Sequence, residues 1–282
     1  MLVIPDFYKG SFGLNSKFVD DFKNNELTIY NVKTEQVMVL KKEELETKRI
    51  KIHPTVHNNY QFGNYQNYEY EFEENSRLDN WDKQKLKYFH WTWFNELEWI
   101  HKTEFLELNK VLNNDRKRIK VLPEKDKTYN AFSKSLWDIK VVIIGIDTYE
   151  NNLSNGLLFA NDNDTVTKSI ANLDNFYNLP NSLVNWKNQG VLLLHTNFTA
   201  IENNYNYYTD KWIPFVKDVI RVLNNRERQF ILVGKQGQIY KDLIKSEFIY
   251  ETGHPVRNEF DTSIFDKVNE NLEQIFEKQI RW

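Results

Sequence analysis

Four short, almost unbroken aliphatic runs, at 140–146, 190–195, 229–234 and 248–252, constrain this chain more than any other feature. A strand that is apolar on both sides must be buried on both faces, and such strands alternating with helices belong to parallel sheets. Helix-compatible segments at 168–176, 181–187, 212–223, 236–245 and 262–278 supply that alternation. The expected fold is therefore α/β, a three-layer α/β/α sandwich around a central four-stranded parallel sheet. The longest aliphatic stretches, 141–144 and 191–194, fall far short of the ~20 residues needed to span a bilayer. Met1-Leu-Val-Ile-Pro-Asp has no basic leader, so a soluble protein, cytoplasmic or nucleoid-associated, is expected.

The first 75 residues have a different texture. Runs at 26–30, 37–40 and 50–53 read as short strands between polar turns, and 58–70, rich in Asn, Gln and Tyr, reads as a loop. This predicts a small β-rich appendage over 1–75 and an α/β domain over 76–282. From Trp81 to Leu112 apolar residues recur at helical spacing (Phe89, Trp93, Leu97, Ile100), which predicts one or two amphipathic helices. The chain carries 37 Lys+Arg against 40 Asp+Glu, a net charge of −3, which excludes a generally basic nucleic-acid coat but not a local basic groove. There is no cysteine, so disulfides, thiolate nucleophiles and Cys-type metal sites are excluded. The pairs His53/His57 and His90/His101 have no cysteine or carboxylate cluster to complete them, so neither a metal nor any other cofactor is expected.

In open α/β sheets ligands bind outside the carboxyl ends of the strands. Asp147 follows the first run, His195 ends the second, Gly234-Lys235 follows the third and His254 follows the fourth. An acid and two histidines, spread over more than a hundred residues of chain, should thus meet at one edge of the sheet. Singly each has a plain structural role open to it: Asp147 as a helix cap, His254 as a turn residue, Phe159 and Tyr149 as core.

Together, they sit in motifs with a family likeness. Leu122-Pro-Glu-Lys-Asp-Lys-Thr-Tyr-Asn-Ala-Phe132, Ile139-Lys-Val-Val-Ile-Ile-Gly-Ile-Asp-Thr-Tyr149, Gly156-Leu-Leu-Phe159, Trp186-Lys-Asn-Gln-Gly-Val-Leu-Leu-Leu-His195 and Gly253-His-Pro-Val-Arg257 follow one another in order. From about residue 80 to 275 the chain resembles family 1 uracil-DNA glycosylases. Thr165-Val-Thr-Lys-Ser-Ile170 is most similar to the poxvirus branch, whose member also serves a DNA polymerase. The resemblance implies a monofunctional DNA glycosylase that excises uracil or a modified pyrimidine by hydrolysis. The alternative is a glycosylase fold retained as a weak or inactive DNA-binding or polymerase-associated subunit. The settings open to it are DNA repair, viral replication and defence against phage or mobile elements.

The resemblance assigns roles residue by residue. Asp147 matches the acid that stabilises the sugar cation and orients water, and His254 the donor to the departing base oxygen. Phe159 matches the ring that stacks on the flipped base, and Tyr149 the ring that excludes a thymine methyl. His195 stands where the family reads the base with an Asn, and Ile146 where it has a Gln. The family's leucine wedge is replaced by Val256-Arg257-Asn258, so Arg257 is expected to fill the gap left by the base. DNA, single- or double-stranded, is the expected partner, with contacts from Lys125, Lys168, Ser169, Lys235, Arg257 and Asn258, and with helix starts near Ser169 and Gln236 offering backbone N–H groups. Residues 1–75 are a candidate surface for a protein partner.

Overall fold

The computed structural model describes residues 2–4, 26–31, 37–41, 85, 87–146, 154–162, 166–174, 180, 182–202, 204–224 and 227–282. The expected strand at 50–53 and the loop at 58–70 lie outside them, as do Asp147 and Tyr149. The chain divides into two compact units, Met1–Asn95 and Glu96–Trp282, whereas the change of sequence texture falls near Asn75.

In the first unit β1 (Leu2–Ile4), β2 (Glu26–Asn31) and β3 (Val37–Lys41) form a three-stranded sheet in that order. β2 and β3 pair antiparallel, Glu26 opposite Lys41, and β1 runs parallel to β2. β1 lies outside the three runs that read as strands in the sequence of this region. Helix α1 (Trp91–Glu96) ends at the unit boundary. The helical pattern of 81–112 is broken after it: a 3-10 turn (Trp99–His101) precedes α2 (Thr103–Asp115).

The second unit holds the sheet. β5 (Val141–Gly145), β6 (Val191–His195), β8 (Gln229–Val233) and β9 (Phe248–Thr252) are all parallel, in the order β6-β5-β8-β9. Every residue of β5, β6 and β8 is buried, which accounts for their continuous apolar sequence, while β9 is partly exposed along one edge. A two-stranded ribbon, β4 (Val121–Leu122) against β7 (Ala200–Ile201), lies apart from it. The connecting helices are α3 (Lys168–Asp174), α4 (Val184–Asn188), α5 (Thr209–Leu223), α6 (Gly234–Gln238) and α7 (Ser263–Phe276). The helix expected over 236–245 is therefore two pieces: the five residues of α6, which opens at Gly234, and a 3-10 turn at Lys241–Leu243.

α5 buries Trp212, Phe215, Val216, Val219, Ile220 and Leu223, the i, i+3, i+4, i+7 stripe of an amphipathic helix. Around Phe215 gather Phe198 at 5.1 Å, Phe132 at 5.3 Å, Trp99 at 5.6 Å and Trp212 at 5.9 Å between ring centroids. Much of the aromatic content is thus spent on the core. Asp218, on the same helix, accepts the Trp99 backbone N–H through Oδ2 at 2.7 Å and fixes the start of the first 3-10 turn.

Candidate active site

β5 delivers its last residue, Gly145, opposite His195 of β6, and Ile146 leaves the sheet immediately after. The neighbouring loop must carry a large ring to this edge, and glycine makes that path open. Gly156 has φ +82°, and a Cβ there would lie 1.8 Å from the Lys127 carbonyl oxygen. The turn that follows places Phe159 at φ +69°, a left-handed conformation costly for an aromatic residue and held only by its surroundings. Asn155, fully buried, provides much of that hold. Its Oδ1 accepts from the Leu157 N–H at 3.1 Å, and its Nδ2 donates to Asp162 and to the Ser182 carbonyl. Asn130 of the Tyr-Asn-Ala-Phe motif donates to the Asn155 carbonyl at 2.8 Å.

Phe159 meets His254 edge to face, with centroids 5.5 Å apart and planes at 84°. His254 is the N-cap of a 3-10 turn, Pro255–Arg257. The Val256 backbone N–H donates to its Nδ1 at 3.2 Å, so Nδ1 is unprotonated and the ring proton sits on Nε2. Nε2 in turn donates to the Ile146 carbonyl at 2.6 Å. Burial, helped by the Arg257 charge, pulls the His254 pKa below the ordinary 6.5, against the Ile146 bond and Glu259, which raise it. The side chain is therefore a neutral imidazole with its donor aimed at the end of β5.

The loop carrying His254 is closed tightly. A Cβ on Gly253 would lie 2.3 Å from the Glu259 Cβ, and Asn258 turns the chain at φ +56°. Asn172 of α3 donates through Nδ2 to the Pro255 carbonyl, tying that helix to the loop. Nothing in a lone asparagine within a helix pattern announces such a role. The same holds for Arg116, whose guanidinium bonds the Val121 and Pro123 carbonyls, each at 2.7 Å, and Thr128 Oγ1 at 3.1 Å, pinning the Pro123 loop.

His195 is 2% exposed at the end of β6. Desolvation lowers its pKa to about 4, against a backbone hydrogen bond at Leu157 that raises it, so the ring is neutral at physiological pH. Lys125, Lys168, Lys235, Arg257 and Asn258 are all exposed, but Ser169 is buried at 1% exposure and is not presented at the surface. α3 starts at Lys168, with Thr167 Oγ1 already accepting the Ile170 N–H at 3.2 Å. Ile146, Lys235, His254 and Arg257 line one cleft of about 650 Å³, to which Tyr205 and Asn206, not singled out from the sequence, also contribute.

No family model matches the chain. Its relatives are nevertheless clear. It is 33% identical over 213 residues to a uracil-DNA glycosylase of Bacillus licheniformis, an alignment covering 68% of this chain and 95% of that one. It is 32% identical over 212 residues to the uracil-DNA glycosylase of Mycoplasmopsis pulmonis, covering 68% and 96%. The crystal structure of mimivirus uracil-DNA glycosylase shares the fold with a TM-score of 0.61 at 24% identity, over 70% of this chain and 88% of that one. With nearly the whole of two such relatives matched, and with the sheet edge built as described, the chain belongs to the uracil-DNA glycosylase family.

Proposed function

We propose that this protein hydrolyses the N-glycosidic bond of uracil in DNA. The observation that carries the reading is the His254 imidazole: neutral, with its proton fixed on Nε2 by the Val256 N–H, and held edge-on to Phe159 where the sheet ends. As the C1′–N1 bond breaks, its electron pair leaves with the base and negative charge spreads onto the uracil O2. A preset N–H donor there stabilises the transition state more than the ground state. In the free protein the Ile146 carbonyl holds that proton; the base oxygen takes its place as acceptor. Asp147, next in sequence to Ile146, stabilises the sugar cation and removes a proton from the attacking water, whose oxygen forms the new bond to C1′. Phe159 stacks on the extruded base and Tyr149 closes the C5 side against a methyl group. His195 contributes a neutral imidazole to base recognition in place of an amide.

The reaction stops at the abasic site, because water and not an amine takes C1′. Single-stranded DNA containing one uracil is the direct substrate for a test. The expected result is release of free uracil, with strand breakage only after alkali. Breakage without alkali would mean that an amine such as Lys235 attacks the sugar. Intact DNA after alkali would overturn the proposal. Asp147→Asn is expected to lower excision at least ~10²-fold with DNA affinity retained, since it removes an interaction made in the transition state.

A further inference from the structure

We propose that the cleft beside His254 also holds a nucleotide next to the target in the same strand, with its base stacked on Tyr205. The proposal rests on the glycosylase reading of that cleft and extends it to a second subsite. The described residues lining the cleft include neither Phe159 nor His195, so this space is additional to that around those two side chains. At about 650 Å³ it lies within the ~300–1,000 Å³ range of small-molecule sites.

Tyr205 is well placed to act as a fixed platform. It follows β7, after a turn in which the Asn204 N–H donates to the Ile201 carbonyl at 2.8 Å. Its own carbonyl accepts from Nδ2 of the fully buried Asn197 at 2.6 Å. Its half-buried side chain packs on Leu122 and Ala200, the meeting point of β4 and β7. An aromatic ring already ordered in the free protein loses little freedom when a base stacks on it. The chemistry around it also suits a polynucleotide. Asn206, Gln236 and Gln238 bring amides, which both donate and accept and so tolerate any base edge. Lys235 and Arg257 supply positive charge for the backbone, and Glu259 is the one carboxylate among the described lining residues. A π face, amides and cations in one groove are how proteins hold single strands without sequence preference. Continuity of the cleft with His254 makes the occupant a neighbour of the target nucleotide and not a separate ligand.

The test uses the full chain and single-stranded oligonucleotides with one uracil, flanked on its 5′ or 3′ side by a normal nucleotide or by a baseless tetrahydrofuran. Single-turnover excision and fluorescence anisotropy are both read, for wild type, Tyr205→Phe and Tyr205→Leu. Leucine keeps the apolar packing on Leu122 and Ala200 without the π face. Removing the base on one flank is expected to lower wild-type excision and affinity roughly 10-fold, in line with base–aromatic stacking. Tyr205→Phe should behave as wild type. Tyr205→Leu should show the same loss on the intact substrate and no longer distinguish a flanking base from none. Indifference of the wild type to both flanks, or full discrimination by Tyr205→Leu, overturns the proposal. Flank discrimination in anisotropy without any uracil release would leave the subsite standing and overturn the hydrolysis instead.

Discussion

His195 and His254 show how burial sets the chemistry of single residues here. Both are neutral, His254 because it is partly buried beside Arg257 and His195 because it is desolvated, to a pKa of about 4. In the unfolded chain a histidine titrates near 6.5. As pH falls from 6.5 toward 4 the unfolded state therefore takes up the His195 proton first. Stability that is fully present above pH 6.5 is lost down to about pH 4, by about 3 kcal/mol. Urea unfolding of wild type and His195→Asn at pH 7 and pH 4.5 should show the smaller acid loss in the variant. An equal loss would mean that His195 is not held neutral by the fold. The residue-level features that sequence alone reveals are those carried by short motifs. His254 and Phe159 are legible because their neighbours Gly253, Pro255 and Gly156 sit beside them in the chain. Asn172, Arg116 and Tyr205 act on groups distant in sequence or in another element, and a lone Asn, Arg or Tyr gives no sign of what it will meet.

At the scale of elements, the four parallel strands are found where their apolar runs lie, because burial on both faces leaves an unambiguous mark. Helices leave a weaker mark. The 236–245 pattern hides a break between α6 and a 3-10 turn, and the two-residue strands β4 and β7 are too short for any periodicity. The His254 loop is the element with most consequence. It is pinned by Asn172 on one side and by the Gly253–Glu259 contact on the other, and it presents Arg257, exposed, into the cleft. A planar guanidinium can occupy the gap left by an extruded base and stack there. Arg257→Ala should then reduce excision from double-stranded DNA much more than from single strands, where no pair need be broken. Similar losses on both would assign Arg257 to a phosphate contact alone.

Over the whole molecule, a net charge of −3 is compatible with DNA binding because only the charges near the site matter. Four exposed cations lie on the segments expected to contact DNA, Lys125, Lys168, Lys235 and Arg257. Each phosphate contact on a single strand contributes about 0.7 to the slope of log affinity against log salt. Lys235→Ala should flatten that slope by about this amount, and an unchanged slope would remove Lys235 from the interface. The alignment with the Bacillus licheniformis relative uses 95% of that protein but only 68% of this one, so about a third of the chain has no counterpart there. Every residue given a role in the proposed hydrolysis lies in the second unit.

The proposed role of His254, stabilising the departing base through its Nε2 proton, is checked by single-turnover excision of uracil from single-stranded DNA by wild type and His254→Ala, with the affinity of each for the same DNA measured alongside. The expected outcome is a fall of at least ~10²-fold in the excision rate with affinity changed only a few-fold, the pattern of an interaction made in the transition state. Equal rates for the two proteins would contradict it.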